Sequence, residues 1–322
     1  MRVWALALTA CLAATGAHAF DCGKASTEAE KEICADPAAR AADADMSKAY
    51  AALVRGASAK SKAQIARAQV NWLERRDGAC SRENLAACLA EQSRQRAKFL
   101  AAQPEAGPGL PSPMTAKIWY DKLAKGQVDV DYELLEFAAP SSPGERAFNA
   151  AVEKLQDDAK PLIADRGDEG AASLGATMRL VYASPALVSA RAELYVDGGG
   201  AHPNMSVRNF NLDIARGRLL AFADAFDAAA AKTVAARCFK SVVEQKRARL
   251  GDDAPKTPDE LKELEKAVGE ATGDLALWSF SASKAVIAYD RDTVGGWAEG
   301  DYACEIGYGV LRPLTKSGLP LP

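Results

Sequence analysis

The stretch that decides the fold is residues 190–214, which read ARAELYVDGGGAHPNMSVRNFNLDI. Apolar and polar side chains alternate over residues 190–197 and again over 207–214, and this period of two predicts two half-buried β-strands. Three consecutive glycines separate the strands, and glycine adopts the positive φ angles that other residues avoid. The sequence therefore predicts a hairpin with a tight connection. The residues assigned to its turn are Gly198, Gly199, Gly200 and Pro203.

His202, at the exit of this connection, is the only histidine outside the first 19 residues. A lone histidine excludes a zinc site with several histidine ligands, and any histidine-dependent catalysis must use this one. Its imidazole either contacts a ligand or hydrogen-bonds its own turn and fixes the hairpin. We assign Tyr195 and Asn204 to the exposed side of the same hairpin, so they join His202 as candidate binding residues.

The N-terminus is typical of a secretory leader. Arg2 supplies the positive start, an apolar run follows, and Ala17-His18-Ala19 forms a small-x-small cleavage site before Phe20. We therefore expect residues 1–19 to be a signal peptide and the protein to be periplasmic or secreted. A lipobox-like sequence ends at Cys11, but the leader before it is too short for lipidation to be favoured. No later stretch has the ~18 apolar residues of a membrane span.

Charge and motifs exclude several classes of function. The chain carries 40 basic and 43 acidic residues, which argues against nucleic acid or an anionic membrane as the partner. No serine or cysteine nucleophile motif accompanies His202, and no glycine-rich phosphate loop opens a helix. We therefore expect a protein that is not an enzyme and that has no cofactor and no metal.

Six cysteines lie beyond the predicted leader, and an even number in an exported chain predicts disulfides. Their spacing is wrong for zinc clusters. We expect Cys22–Cys34 and Cys80–Cys88 as local bridges, with Cys34–Cys80 as the rival pairing. Cys238 and Cys304 would then form a bridge in the last third of the chain.

The chain divides at a segment rich in proline and glycine, residues 103–113, which is predicted to be a stiff linker. Helical signals fill residues 20–102, where Trp72 is predicted to be core and Arg76-Asp77 a helix-end ion pair. Mixed patterns fill residues 114–322. We predict an α+β protein in which a small disulfide-stapled all-α module precedes a mostly antiparallel α+β domain. Few contacts should cross the linker, so cutting it should release two folded pieces.

The helical module resembles the N-terminal module of LprI-type lysozyme inhibitors. The residues that carry this likeness are Phe20-Asp21-Cys22-x-Lys24-Ala25, Glu32-Ile33-Cys34-x-Asp36-Pro37, Asp43, Tyr50, Gln69-x-x-Trp72-Leu73-x-x-Arg76-Asp77-x-x-Cys80 and Cys88. In that family the module occurs in exported bacterial proteins, one of which inhibits lysozyme. The resemblance thus implies lysozyme as a partner.

Residues 115–315 are similar to the extracellular domain of RsiV-type anti-sigma factors, which binds lysozyme. The residues that carry this likeness are Gly198-Gly199-Gly200-Ala201-His202-Pro203-Asn204, Asn209-Phe210-Asn211-Leu212-Asp213, Gly217, Trp297-Ala298-x-Gly300-x-Tyr302, Ile306-x-Tyr308 and Leu311. The chain lacks that family's membrane span and sigma-binding segment, so only the binding role is implied. Trp297 becomes a further candidate contact, the alternative being that it packs at a sheet edge.

Two resemblances thus converge on lysozyme or on its substrate, peptidoglycan. The first hypothesis is an exported inhibitor or sink for lysozyme-type muramidases. The second is a peptidoglycan-binding accessory protein of the cell envelope. The third is an enzyme that processes cell-wall glycan, since any two carboxylates could meet in space as a glycosidase pair.

Overall fold

The computed structural model describes residues 21–123, 128–164 and 171–322, so the predicted signal peptide and Cys11 lie outside the described residues. Four helices come first. They are α1 (Glu28–Ala35), α2 (Pro37–Gly56), α3 (Ala59–Ala79) and α4 (Leu85–Leu100). A capping box of Thr27 and Glu30 begins α1. A short 3-10 turn (Arg82–Asn84) precedes α4, and the side chain of Ser81 before it makes no capping bond.

Two disulfides hold this helical module. Cys22 pairs with Cys34, and Cys80 pairs with Cys88, which are the local pairs that the sequence favours over Cys34–Cys80. The first ties the start of the module to the end of α1, and the second ties the end of α3 to the first turn of α4. Disulfides of this kind compensate for a core that is too small to stabilise so few helices alone.

The second part of the chain is built on a six-stranded sheet whose strands lie in sequence order. They are β1 (Met114–Leu123), β2 (Val128–Phe137), β3 (Ala172–Ala183), β4 (Leu187–Asp197), β5 (Asn204–Asp213) and β6 (Arg218–Leu219). Among the strands of the described residues, only β2 and β3 pair in parallel, and α5 (Pro143–Ala164) makes the crossover that a parallel pair requires. The predicted fold class, a helical disulfide module before a mostly antiparallel sheet, is confirmed.

A second layer packs on this sheet. It contains α6 (Phe222–Ala225), α7 (Ala228–Leu250), α8 (Pro258–Thr272), β7 (Trp278–Phe280), β8 (Lys284–Tyr289), β9 (Tyr302–Gly307) and α9 (Tyr308–Leu311). Strands β7 to β9 form an antiparallel sheet, and a disulfide between Cys238 and Cys304 ties α7 to β9.

Buried amides of β5 join the two sheets. Asn209 Nδ2 donates to the Ala276 carbonyl at 2.9 Å, and Asn211 Nδ2 donates to the Trp278 carbonyl at 2.7 Å. Both asparagines are buried. Buried polar groups need such partners, so these asparagines of the second sequence resemblance hold the fold together.

The 103–113 segment lies against β3, although it forms no helix of its own. Glu105 N donates to the Leu180 carbonyl at 2.8 Å, and Gly109 N donates to the Ala183 carbonyl at 3.2 Å. Gly107 has a φ of 104°, and a Cβ there would lie 2.1 Å from the Ala183 oxygen, so only glycine fits.

The helical module and the sheet share one hydrophobic core. Trp72 of α3 and Phe99 of α4 belong to the same buried cluster as Leu134 and Met178 of the sheet. The prediction that few contacts cross the 103–113 segment is therefore wrong. The reason is that α3 and α4 bury apolar residues against the sheet as well as against the other helices.

Candidate binding surface at the β4–β5 connection

The β4–β5 connection, which we call the tip, comprises residues 198–203 and is longer than the tight turn that the glycines suggest. Asp197 Oδ1 accepts a hydrogen bond from Gly199 N at 2.8 Å, and Gly199 has a φ of 77°. An aspartate that bonds the backbone two residues ahead is a common way to start a turn. The tip is thus ordered by one aspartate and one left-handed glycine.

His202 and Trp297, both predicted as candidate contacts, lie against each other in the structure. Their ring centroids are 4.7 Å apart, and the ring planes are inclined by only 15°. Trp297 Nε1 donates to the Pro203 carbonyl at 3.1 Å, and His202 Nδ1 lies 3.3 Å from the same oxygen. His202 is exposed and Trp297 is half-buried. The tip therefore rests on the loop between β8 and β9.

Arg291, which the sequence did not single out as a site residue, completes this arrangement. Its guanidinium lies 4.8 Å from the centre of the Trp297 ring, and its Nε donates to Asp301 Oδ1 at 2.9 Å. A cation over an indole face is electrostatically favourable. We call His202, Trp297 and Arg291 the tip stack. The signal for Arg291 was its place in an Asp-Arg-Asp run just before the glycine-flanked tryptophan.

Asp290 anchors the β8–β9 loop to β5. Its Oδ1 accepts from Val207 N at 2.6 Å, and its Oδ2 accepts from Arg208 at 3.2 Å. The neighbouring Tyr289 is buried, and its hydroxyl lies 3.1 Å from the Thr272 hydroxyl. Burial raises the pKa of Tyr289 to about 12. Tyr289 is therefore a core residue, while Asp290 holds the loop under the tip.

The strand register places the other two candidates, Tyr195 and Asn204, on opposite faces of the hairpin. Tyr195 pairs with Met205, whereas Asn204 pairs with Val196, so their side chains point to opposite faces of the hairpin. The expectation that they share one exposed side is wrong, since it required a different register. Tyr195 is half-buried, and its hydroxyl donates to Asp197 Oδ2 at 3.3 Å. Burial, followed by the Asp197 charge, raises the pKa of Tyr195.

Gln69, Trp72 and Arg76 of the first sequence resemblance lie inside the helical module. The guanidinium groups of Arg76 and Arg96 each lie 5.3 Å from the centre of the Trp72 ring. Arg96 Nε donates to Gln69 Oε1 at 3.0 Å, and Arg76 pairs with Asp77 at 2.8 Å. All but Asp77 are buried. Trp72 is thus a core residue between two arginines, as the sequence indicated, and this network holds the helices in place.

Across the residues that the structure describes, no group of three or more His, Cys, Asp and Glu side chains could hold a metal ion. In those same ranges no helix has the length and the apolar character needed to cross a membrane.

Comparison with known proteins gives a family match and likenesses to solved structures. A solved structure of a DUF3298 family member from Bacteroides fragilis NCTC 9343 is 12% identical over 63% of this chain and 93% of its own, with a TM-score of 0.45. A DUF3298 family protein from Pseudomonas aeruginosa PAO1 is 16% identical over 64% of this chain and 95% of its own, with a TM-score of 0.43. No curated protein matches the chain. Residues 22–100 match the family described as lysozyme inhibitor LprI.

Proposed function

We propose that this chain is an exported binding protein that inhibits or sequesters lysozyme-type muramidases, and that it is not an enzyme. The observation that carries this proposal is the match of residues 22–100 to a family of lysozyme inhibitors. Three disulfides support it, since disulfides persist in oxidising compartments outside the cytosol. The proposal includes a signal peptide over residues 1–19 that is cleaved before Phe20.

The proposal also assigns parts of the chain. Residues 20–102 form the LprI-like module, 103–113 the connecting segment, and 114–322 a domain that resembles the lysozyme-binding part of RsiV-type proteins. The first two parts pack on the sheet of the third. We therefore propose that all three parts act as one binding unit. The partner contacts are then distributed over a continuous surface instead of two separate modules.

We further propose that the tip is one of the contacts. The candidate contact residues in the tip and beside it are Tyr195, His202, Asn204 and Trp297. The supporting observation is preorganisation, because Asp197, the Pro203 carbonyl and the tip stack hold the connection in place. An ordered loop loses little conformational entropy when it binds, so more of its contact energy appears as affinity.

Calorimetric titration of the protein into several lysozymes, together with an inhibition assay, tests the parent proposal. We expect His202→Ala and Tyr195→Ala each to weaken binding by about 1–3 kcal/mol, mostly through faster dissociation. Lys240→Ala is the matched control, since Lys240 is an exposed residue of α7. A thermal scan of each variant separates lost contacts from lost folding.

Two outcomes would overturn the proposal. If every lysozyme gives neither binding heat nor inhibition, lysozyme is not the partner. In that case, retention of the protein by purified sacculi would favour the peptidoglycan-binding alternative. Turnover of peptidoglycan by the pure protein would favour the enzyme. If lysozyme binds but the tip variants bind normally, the contact lies elsewhere on the molecule.

A further inference from the structure

A cleft of about 750 Å³ opens between the helical module and the sheet, away from the tip stack. Helices α3 and α4 form one wall, and β3 with Glu193 of β4 forms the other. This volume lies within the range of small-molecule sites, roughly 300–1,000 Å³. The apolar residues at its floor, such as Trp72, Met178 and Leu180, are almost inaccessible. A ligand in the cleft would therefore meet mainly the polar and charged side chains of the walls.

The walls of the cleft carry more basic than acidic side chains. Six lysine and arginine side chains line the cleft, against four glutamates. Arg96, one of the six, is buried, and its Nη2 has no hydrogen-bond partner among the residues described. A buried donor without a partner is costly, so this atom is open to a ligand. Five of the six cations pair with a carboxylate of the protein, and Lys98 is the exception among the residues described.

On the sheet wall, Arg179 is the cation that lines the cleft, and Arg191 lies beside it in the sheet. Arg179 of β3 pairs directly with Arg191 of β4, so their side chains leave the same face of the sheet at adjacent positions. Like charges directly opposite in a sheet are destabilising. Arg179 donates to Glu105 through Nη1 only, and Arg191 bonds Glu193 through Nε. Each guanidinium therefore keeps donor groups for which the described residues supply no partner.

On the helix wall, Lys98 of α4 is the corresponding cation. Its Nζ lies 3.5 Å from the Glu105 carbonyl, and no carboxylate of the described residues forms an ion pair with it. Glu105 thus stands between Lys98 and Arg179, bonding the first through its backbone and the second through its carboxylate. This places cations on both walls beside a single glutamate.

We propose that this cleft binds a small polar ligand with two carboxylates, one held by Arg179 and the other by Lys98. Guanidinium groups bind carboxylates through paired, charge-assisted hydrogen bonds, which suits the sheet wall. Dicarboxylic acids and short acidic peptides share this chemistry. The site lies apart from the tip and does not depend on lysozyme binding, so either proposal can fail without the other.

Isothermal titration of the full protein at low ionic strength tests the proposal. The probes are the acetylated dipeptide of two glutamates and free glutarate, and the acetylated dipeptide of two glutamines is the neutral control. Arg179→Gln and Lys98→Gln should each weaken binding of the acidic probes about tenfold or more. Glu105→Gln should strengthen it, because it removes a carboxylate that competes with the ligand. Binding should weaken as salt is added.

Arg237→Gln is the matched control, since it removes the same charge from an exposed position on α7. Heat with the glutamate dipeptide alone identifies an acidic peptide site, and heat with both acidic probes identifies a general dicarboxylate site. The proposal is overturned by the absence of heat with both. It is also overturned if Lys98→Gln and Arg179→Gln bind like the parent protein, or if Arg237→Gln weakens binding equally. Thermal unfolding of each variant verifies folding, and the half-buried Lys98 provides the test if Arg179→Gln does not fold.

Discussion

The junction between α4 and β2 and the tip use similar side chains in opposite surroundings. At the junction, Arg96 and Glu133 are 3% and 1% exposed, and their charged groups lie 2.7 Å apart. At the tip, an exposed His202 stacks on a half-buried Trp297 beside Arg291. Both regions pair arginine with an aromatic ring or a carboxylate. The tip leaves those groups on the surface, within reach of a protein partner.

Burial decides what such groups can do. Two charges taken out of water lose hydration that their mutual attraction only partly replaces. Burial raises the pKa of Glu133, although the nearby Arg96 and Arg75 oppose the shift. Removing one member leaves the other charge buried alone, which makes the junction a structural pair. The side chains of the tip stack lose little hydration on folding. Their substitution should therefore change the free energy of unfolding only slightly.

The junction should give the largest effect. Arg96→Met or Glu133→Leu should each lower the free energy of unfolding by about 3–5 kcal/mol, because each leaves a buried polar group without its partner. The double variant Arg96→Met with Glu133→Leu should cost less than the sum of the single effects. Urea unfolding of the four proteins measures this. Additive losses, or single losses below about 1 kcal/mol, would contradict the assignment of a buried pair.

Glu145, at the start of α5, should give an intermediate effect. Its side chain is buried but accepts hydrogen bonds from Ser112, Ser141 and Ser142. These bonds, the one from Ser112 first, lower the pKa of Glu145 from 4.5 to about 2. Since Ser112 belongs to the 103–113 segment, this carboxylate also fixes that segment to the sheet domain.

Glu145→Gln should lower the free energy of unfolding by about 1–2 kcal/mol at pH 7, because charged acceptors make stronger bonds than neutral ones. A carboxyl whose pKa is lowered by folding stabilises the protein above its unfolded pKa. That contribution is lost as the pH falls from about 4.5 toward about 2. The difference between the two proteins should therefore shrink over this window in urea unfolding. A difference that stays constant with pH would show that the charge is not responsible.

The parts of the fold that follow from local patterns could be predicted from the sequence. The capping box at Thr27, the hairpin strands and the local disulfides depend on residues close in the chain. The pair of Arg96 and Glu133 could not be predicted, because it joins residues of two elements only after they pack. Tyr195 and Asn204 were placed on one face of the hairpin because the sequence alone did not determine the strand register. A shift of one residue in register moves a side chain to the other face.

The tip stack could be predicted from the sequence only in part. His202 and Trp297 could each be chosen from the glycines around them, but their contact joins distant parts of the chain. What brings them together is the loop anchored by Asp290 to β5, and this anchor is a tertiary bond to the backbone of Val207. Composition can therefore nominate such residues, while their contact requires the packed structure.

The tip stack should give the smallest change in stability, which makes it the sharpest test of the comparison. His202→Ala and Trp297→Ala, combined in a double-mutant cycle, should have a coupling energy of about 0.5–1.5 kcal/mol, as expected for a ring pair. Trp297→Ala alone should cost more than His202→Ala, because it also removes the hydrogen bond to the Pro203 carbonyl. Urea unfolding at constant pH and salt measures all four proteins. If His202→Ala alone cost as much as a junction variant, the imidazole would be a brace of the fold. The contrast between a buried structural pair and an available surface stack would then fail, and Tyr195 would remain the better candidate for contact with a partner.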